Sequence, residues 1–323
     1  MSLGEFELIR AYFARVAEAS SDASVILGPG DDCALLQPPA GQQLAVSIDS
    51  LVEGTHFLPG TPADKLASRL FGSALSDLAA MGAAPGWLTL ALSLPASDAD
   101  WLEAFSRKLA ELCLQYRIAL VGGDTTRGPL TLSAQVHGFV EPGLALCRSG
   151  AKPGDLICVS GTLGDSRGGL EGLLQQAETD PHQAWLCQRF YAPQPRIHLG
   201  QQLCGLASSC IDISDGLLAD LGHILTASGG LGAQIQVDQL PLSVALQTRY
   251  GEVQARQWAL SGGEDFELCF TLPADKRASL PEGSCVIGQV TTEPQVELFL
   301  CGQPYVSPSR GYDHFQSDNQ ESQ

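Results

Sequence analysis

Positive charge is scarce in this amino-acid sequence. The 323 residues include 18 lysines and arginines against 36 aspartates and glutamates, which gives a formal net charge of −18. Lysine occurs only at positions 65, 108, 152 and 276. A protein that binds nucleic acid by neutralising its phosphates carries the opposite sign of charge. The composition therefore argues against a nucleic-acid-binding function.

Several widespread motifs are also missing. The chain has no Walker A loop, no G-x-G-x-x-G fingerprint and no kinase H-R-D or D-F-G segment. Its 10 cysteines show neither a C-x-x-C pair nor the spacing of a zinc site, so we expect reduced thiols that act as small hydrophobic side chains. The EF-hand spacing is absent as well. These absences exclude the common ATP-binding folds, zinc modules and EF-hands.

Uninterrupted apolar runs and a secretion signal are lacking too. The segment 70–96 carries one charge, Asp77, but Gly82, Pro85 and Gly86 divide it, so it predicts a helix followed by a buried strand. The acidic N-terminal residues show neither the basic nor the apolar region of a secretion signal. We expect a cytoplasmic protein with no membrane partner.

The composition is that of a folded chain, with 44% hydrophobic and 17% charged residues. At roughly 150 residues per domain, the length suggests about two domains. Strand-like and helical patterns alternate, which predicts an α/β fold with mixed sheets. A Pro- and Gly-rich connector around 141–154 separates two such series. The predicted division is 1–147, 148–315 and a disordered tail, 316–323.

Hydrophobic periodicity predicts the individual elements. In the first half, helices are expected at 5–19, 63–81 and 98–116, and strands at 33–36, 44–48, 87–94, 118–121 and 130–140. In the second half, helices are expected at 170–177, 183–190, 194–206 and 217–227, and strands at 156–159, near 211 and 234, and at 267–272, 286–290 and 296–300.

The most informative feature is a set of aspartates in Gly-rich or apolar settings, most of them after strand-like runs. They are Asp31, Asp49, Asp77, Asp124, Asp212 and Asp215. Taken alone, each is typical of a turn or a helix cap. If they converge, their mutual repulsion requires cations, and oxygen ligands favour Mg²⁺, which commonly binds together with substrate phosphates. The set therefore predicts a magnesium-dependent nucleotide site.

Other segments fit a phosphate-binding protein, although each has a structural alternative. Gly122-Gly123 and the 161–164 segment GTLG could present backbone N–H groups to phosphate, or be plain turns. Arg148 could bind phosphate oxygens or be a surface side chain in a connector. His56 could reach the Asp49 segment or be structural. The 261–268 segment SGGEDFEL places two acids after two glycines, as in a close backbone approach to a ligand or a hairpin turn.

The order of these segments resembles that of the thiamine-monophosphate kinase family. The resemblance rests on GDD at 30–32, SDLAAMG at 76–82, GGDTT at 122–126, RSGA at 148–151, DISDG at 212–216, SGGED at 261–265 and GYDHF at 311–315. It extends from about Gly4 to Phe315. Single segments also occur in the wider superfamily of aminoimidazole ribonucleotide synthetase, selenophosphate synthetase and HypE.

The resemblance implies ATP-dependent phosphorylation of thiamine monophosphate in a homodimer, with the N-terminal sheets forming a barrel across the two-fold axis and a second α/β layered domain. It implies metal ligands at Asp31, Ser47, Ile48, Asp49, Asp77, Asp124, Asp212 and Asp215. It also implies ATP contacts at Gly123, Asp124, Arg148 and Ser214, and thiamine phosphate contacts at His56, Glu264 and Tyr312. Two positions depart from the family pattern: Ile48 replaces a common Thr, which leaves only its backbone carbonyl for a metal, and Tyr312 replaces the Trp of some members.

The implied chemistry needs no acid–base catalyst, because the acceptor phosphate is already ionised and Mg²⁺ reduces the repulsion between the two anions. Two alternatives stay open at this point. A sister enzyme of the superfamily would share the metal site. A non-catalytic acidic metal-binding protein would explain the carboxylates but would not require Arg148 or the Gly-Gly-Asp segment.

Overall fold

The computed structural model describes residues 4–178 and 180–307, which divide into two compact units. The first unit contains the residues up to Leu146 together with Tyr191–Gly205. The second contains Cys147–Phe190 and the described residues from Leu206 onward. The prediction placed a single boundary at 147/148 and did not include the return of Tyr191–Gly205 to the first unit. The predicted tail at 316–323 lies outside the described residues.

The elements are numbered along the chain. The helices are α1 (Glu5–Leu8), α2 (Ala14–Ser20), α3 (Ala63–Ala80), α4 (Ala99–Tyr116), α5 (Asp165–Leu174), α6 (Pro181–Tyr191), α7 (Ile197–Leu203), α8 (Leu217–Ala227) and α9 (Val244–Ser261). A π-helical segment (Ile9–Phe13) joins α1 to α2, and short 3₁₀ turns lie at Val237–Gln239 and Ala274–Ser279. The strands are β1 (Val25–Leu27), β2 (Leu35–Leu36), β3 (Gln43–Val52), β4 (Ala84–Leu94), β5 (Ala119–Arg127), β6 (Thr131–Val140), β7 (Leu156–Ser160), β8 (Ser209–Asp212), β9 (Gly232–Gln236), β10 (Leu268–Leu272), β11 (Ser284–Thr291), β12 (Val296–Leu300) and β13 (Gln303–Tyr305).

A four-stranded sheet in the order β3-β6-β4-β5 forms the framework of the first unit. β6 is antiparallel to both of its neighbours, and β4 is parallel to β5. Alternate residues of β6, such as Leu132 and Val136, are fully buried, as expected for a strand that packs on one face. They share a core with Leu66 and Leu75 of α3. The mixed sheet agrees with the predicted fold class.

The segment Tyr191–Gly205 packs against α3 at two glycines. A Cβ atom on Gly72 would lie 2.4 Å from the Pro193 carbonyl oxygen, and one on Gly200 of α7 would lie 2.0 Å from the Ala79 carbonyl oxygen. Neither approach leaves room for a side chain. The absence of side chains at these two positions therefore lets the later segment join the core of the first unit.

A seven-stranded sheet in the order β13-β12-β9-β11-β7-β10-β8 forms the framework of the second unit. Only the pair β9 and β12 is parallel within the described sheet. β7 and β10 are buried along their whole length, which explains their continuous apolar sequences. Ile157 of β7 and Leu221 of α8 belong to one core cluster. This sheet supports the loops in which the second set of motif residues lies.

Two further expectations can be compared with the structure. All ten cysteines are free thiols, as predicted, and Cys113, Cys158, Cys210 and Cys269 are buried. Segment 70–96 forms the end of α3 and the strand β4, also as predicted. Across residues 4–178 and 180–307, no helix has both the length and the apolar character that crossing a bilayer requires.

Candidate functional site

Three of the predicted metal ligands lie where β3 packs against α3. Strand alternation puts Ser47 and Asp49 on the face of β3 that also carries the buried Leu51. The Ser47 hydroxyl donates a hydrogen bond to Oδ2 of Asp77, a half-buried residue of α3. Hydroxyl and carboxylate oxygens are hard donors of the kind that Mg²⁺ prefers. The chemistry of this donor set fits the predicted cation.

Asp124 points to the opposite face of the same sheet. A row of cross-strand neighbours runs from Asp49 in β3 to Gly123 in β5, and such neighbours share a face. Asp124, the next residue, therefore lies on the other face, where it is exposed. The expectation that Asp49 and Asp124 end their strands was wrong. β3 continues to Val52 and β5 to Arg127 because polar residues remain paired in these strands.

Gly123 has a structural reason to be glycine. A Cβ atom at this position would lie 1.9 Å from the carbonyl oxygen of Leu90 in the adjacent parallel strand. The Gly-Gly-Asp segment therefore belongs to a closely packed part of the sheet. A contact of Gly123 with ATP stays a prediction.

The remaining predicted residues of the first unit lie in turns and connections. Asp31 is exposed, and its Oδ1 accepts a hydrogen bond from the backbone N–H of Asp32 at 2.8 Å. Nδ1 of His56 accepts the backbone N–H of Val52 at 3.1 Å, and its carbonyl accepts Nε–H of the buried Arg69 at 3.1 Å. His56 thus has a structural role in the loop after β3, and a contact with substrate remains a prediction.

The side chain of Ile48 is 63% exposed, on the opposite face of β3 from Ser47 and Asp49. A hydrocarbon has no donor atom for a cation, which agrees with the expectation that only the backbone of Ile48 remains available. Arg148 is exposed near the start of the second unit. Tyr312 lies outside the described residues.

In the second unit, the structure brings together two motif segments that are about 50 residues apart in the sequence. The backbone N–H of Glu264 donates to the carbonyl of Ser214 at 2.7 Å, and that of Phe266 donates to the carbonyl of Ile213 at 2.9 Å. A Cβ atom on Gly263 would lie 2.5 Å from the Ser214 carbonyl oxygen. We call segments 212–216 and 261–266 the loop pair. It places Asp215 and Glu264, a predicted metal ligand and a predicted acceptor contact, in adjacent loops.

Asp220, which the sequence analysis missed, orders the first loop of this pair. It is 2% exposed in the first turn of α8, and its Oδ2 accepts the backbone N–H groups of Ser214 and Asp215, both at 3.0 Å. Burial raises the pKa of the Asp220 carboxyl to about 7. The available signal was an aspartate shortly after the start of a predicted helix, which is a common position for a carboxylate that binds backbone N–H groups.

Asp265 orders the second loop from within the core. It is 2% exposed, and its two carboxylate oxygens accept the backbone N–H groups of Gly164 at 2.6 Å and Ser166 at 3.2 Å. These donors belong to the N-terminus of α5, so Asp265 occupies the position that the GTLG segment was expected to offer to phosphate. That reading of segment 161–164 was wrong for the Gly164 donor. Desolvation by burial raises the pKa of Asp265 well above its usual range.

Two further buried acids lie close to the loop pair in the second unit. Asp165 accepts hydrogen bonds from the Ser243 hydroxyl at 2.6 Å and from the Thr162 hydroxyl, and burial raises the pKa of this carboxyl. Glu267, fully buried, forms an ion pair with Arg189 at 2.7 Å. Both acids therefore have partners inside the protein, which identifies them as structural support for the loops.

The predicted metal ligands can be compared within each unit. Among the described residues, no group of three or more histidine, cysteine or acidic side chains is arranged to hold a metal ion. In the first unit, the structure joins Ser47 to Asp77 and places Asp49 and Asp124 on opposite faces of the sheet, and in the second unit Asp220 orders Asp215. Magnesium binding by these residues stays a prediction that the oxygen chemistry of the donors supports.

Comparison with known proteins places the two mixed α/β units in the AIR synthase-like fold class. The model of the AIR synthase related protein N-terminal domain matches residues 30–140. Thiamine-monophosphate kinase of Salmonella typhimurium strain LT2 is 50% identical over 328 residues, covering 98% of this chain and 99% of the relative.

Two solved structures are similar over nearly the whole chain. The crystal structure of thiamine-monophosphate kinase from Stenotrophomonas maltophilia K279a has a TM-score of 0.84 and 44% identity, and covers 94% of this chain and 99% of that one. AaThiL complexed with AMPPCP and TMP has a TM-score of 0.78 and 32% identity, and covers 98% and 99% of the two chains. The chain belongs to the thiamine-monophosphate kinase family.

Proposed function

We propose that this protein transfers a phosphoryl group from ATP to thiamine monophosphate, which yields thiamine diphosphate and ADP. The observation that carries the proposal is the near-complete match to a thiamine-monophosphate kinase at 50% identity. The complex of AaThiL with AMPPCP, an analogue of ATP, and with TMP supports the same pair of substrates. The loop pair adds a preorganised part of the site in this chain itself.

The metal and nucleotide contacts are proposed residue by residue. Magnesium ions are held by Asp31, Ser47, Asp49, Asp77, Asp124, Asp212, Asp215 and the backbone of Ile48. ATP is bound by Gly123, Asp124, Arg148 and Ser214. The Ser47–Asp77 hydrogen bond and the half-buried position of Asp215 support this set, because both supply oxygen donors that are partly shielded from water.

Bound Mg²⁺ would supply charge neutralisation between the donor and acceptor phosphates. The protein's own contribution is then positioning. The acceptor oxygen is ionised at neutral pH and attacks the γ-phosphorus in line, forming the new P–O bond as the bond to ADP breaks. No side chain has to remove a proton, and we assign no acid–base catalyst. Backbone hydrogen bonds within the loop pair limit the movement of Asp215 and Glu264 during this step.

The acceptor site is proposed to include His56, Glu264 and Tyr312. Thiamine monophosphate offers a cationic thiazolium, which an aromatic face attracts, and an aminopyrimidine whose amino group donates to a carboxylate. Glu264 suits the second role because it is half-buried beside Ser214 in the loop pair. Its position outside the metal motifs supports a contact with the organic part of the acceptor.

We further propose that two copies of the chain associate through β3. This strand lies at the edge of its sheet in the described structure, and its outward face carries a row of exposed apolar side chains: Leu44 at 48%, Val46 at 51%, Ile48 at 63% and Val52 at 36% exposure. An exposed apolar edge strand needs a cover in water. A second copy presents the same strand, which makes the surface self-complementary about a two-fold axis.

Light scattering tests the assembly. A dimer has about twice the chain mass of 34.1 kDa, which is about 68 kDa. Ile48→Lys should shift the mass to one chain, whereas Leu114→Lys, at an equally exposed position on α4, should leave the dimer intact. A wild-type protein that is active and monomeric at micromolar concentration would contradict the dimer.

A coupled ADP-release assay tests the reaction itself. ADP should form with thiamine monophosphate and not with thiamine, because the acceptor must carry the attacking phosphate. If no ADP forms with either compound, the proposal is overturned. If ADP forms instead with an amide or carboxylate substrate, the result favours a sister enzyme of the same fold.

A further inference from the structure

We propose that Asp265 is a positioning residue for acceptor binding: it holds the neighbouring Glu264 in a backbone conformation that the loop would otherwise leave. This inference rests on the proposed function and deepens it, because it assigns a role to a buried residue that touches neither substrate.

Both neighbours of Asp265 have left-handed backbone conformations. The φ angle is +66° at Glu264 and +51° at Phe266. Side chains with a Cβ atom are disfavoured in this region, and neither residue is the asparagine or glycine that tolerates it best. Two such residues separated by one position persist only where the surroundings hold them in place.

The surroundings that hold this segment are known in detail. Asp265 is 2% exposed and fixes the middle of the segment through Gly164 and Ser166, with oxygen–nitrogen distances of 2.6 and 3.2 Å. The backbone N–H groups of Glu264 and Phe266 donate to the first loop of the pair at 2.7 and 2.9 Å. The side chain of Asp265 is bonded to the N-terminus of α5 and the two backbone N–H groups to segment 212–216, so two separate parts of the second unit hold this segment.

The anchor requires two acceptor oxygens, which the carboxyl group of Asp265 supplies. Each oxygen of Asp265 accepts from a different backbone N–H group, so both oxygens must be acceptors. An asparagine has one acceptor oxygen and would place its amide donor against one of the N–H groups of α5. Asp265→Asn preserves the volume of the side chain. It removes one of the two hydrogen bonds and places the amide NH₂ group against a backbone N–H group of α5.

Without this anchor, Glu264 is expected to relax from the left-handed region, and its carboxylate to move away from the acceptor. The first experiment measures the steady-state kinetics of Asp265→Asn with each substrate varied. We expect KM for thiamine monophosphate to rise about tenfold, with KM for ATP unchanged.

Asp98 supplies a matched control. Its Oδ1 also accepts two backbone N–H groups at the start of a helix, those of Asp100 and Trp101 at 3.0 and 3.1 Å, but it lies in the first unit at the N-terminus of α4. Asp98→Ala, which removes both bonds, should lower the thermal midpoint without changing either KM. Equal increases in both KM values for Asp265→Asn would contradict the proposal, because Asp265 would then only cap the N-terminus of α5.

A double-mutant cycle separates positioning from structural damage. If Asp265 acts through Glu264, then Asp265→Asn should have little further effect on KM for thiamine monophosphate in a protein that already carries Glu264→Ala. The same fold-increase in both backgrounds would overturn the inference. If Glu264→Ala alone leaves this KM unchanged, the assignment of Glu264 to the acceptor site fails instead, and the two failures remain distinguishable.

A second variant covers the case in which Asp265→Asn does not fold. Asp265→Ser retains one oxygen acceptor and introduces no amide donor against α5. It should show the same selective rise in KM for thiamine monophosphate, and a crystal structure of it should show residue 264 outside the left-handed region. A structure with φ at residue 264 still near +66° and an unchanged KM would contradict the proposal.

Discussion

The two units carry their predicted functional residues in different ways. In the first unit, the acids come from separate elements, Asp31 and Asp124 are exposed, and Asp124 lies on the opposite sheet face from Asp49. In the second unit, Ser214, Asp215 and Glu264 lie in two adjacent loops joined by backbone hydrogen bonds. If the acids of the first unit bind metal as proposed, cations and phosphates must organise them, whereas the loop pair is held by its own hydrogen bonds.

Removal of divalent cations should have the largest effect, because it tests whether the acids of the first unit act through metal. If the first unit depends on them, exhaustive treatment with EDTA should abolish turnover, and added Mg²⁺ should restore it. Assays of ADP release before and after chelation provide the measurement. Full activity in the chelated protein would show that the acids of the first unit do not work through metal.

Asp124→Asn tests one ligand of the first unit. Asp124 is exposed, so the substitution should leave the thermal midpoint unchanged, and loss of a negative ligand should lower kcat by roughly 10²-fold or more, as for the loss of one electrostatic stabiliser of a transition state. Asp275→Asn, at another exposed acid, is the control and should change neither quantity. A near-normal kcat in Asp124→Asn would show that this exposed residue of β5 is not needed for phosphoryl transfer.

The buried support of the second unit predicts a smaller, pH-dependent effect on stability. Because burial raises the pKa of Asp165, the native state binds this proton more tightly than the unfolded chain does. Its contribution to stability is therefore present at low pH and is lost as the pH rises from the ordinary range of aspartate through the raised pKa. Asp165→Asn should gain thermal midpoint relative to the wild type as the pH rises above the ordinary range of aspartate. A fall in the thermal midpoint of Asp165→Asn relative to the wild type as the pH rises would contradict this prediction.

Much of the fold could be predicted from periodicity alone. Helix α8 has the predicted bounds, Leu217–Ala227, and α3 and α4 agree to within one residue at each end, because their apolar spacing is regular. Helix α5 begins at Asp165 and not near 170. Its glycines weaken the helical signal, yet they are needed for packing: a Cβ atom on Gly169 would lie 2.3 Å from the Leu186 carbonyl oxygen.

Other parts of the fold could not be read from local pattern. Helix α9 was missed because Gly251, with φ +76°, interrupts its helical geometry and its periodicity. The return of Tyr191–Gly205 to the first unit depends on glycines in α3 and α7 that meet only in three dimensions. Local sequence carries no information about such long-range contacts.

Motif order named candidate site residues but not the contacts that position them. Asp215 and Glu264 remain predicted site residues, and their motifs did not indicate that the two loops are hydrogen-bonded to each other. Asp265 was not assigned as a support, because nothing in its local sequence shows that its carboxylate accepts backbone N–H groups of a distant segment, whereas Asp220 had a signal in its position in the first turn of a predicted helix. The opposite-face placement of Asp49 and Asp124 follows from strand register, which depends on pairing partners elsewhere in the chain.

Glu264 is proposed to bind the acceptor from the second loop of the loop pair, whereas Asp215 and Ser214 of the first loop are proposed to contact metal and ATP. The most direct test is steady-state kinetics of Glu264→Ala with each substrate varied in turn. We predict a rise of about tenfold in KM for thiamine monophosphate with KM for ATP unchanged, since binding lost at one substrate affects mainly the KM of that substrate. Equal rises in both constants, or a rise for ATP alone, would remove Glu264 from the acceptor site and contradict the account.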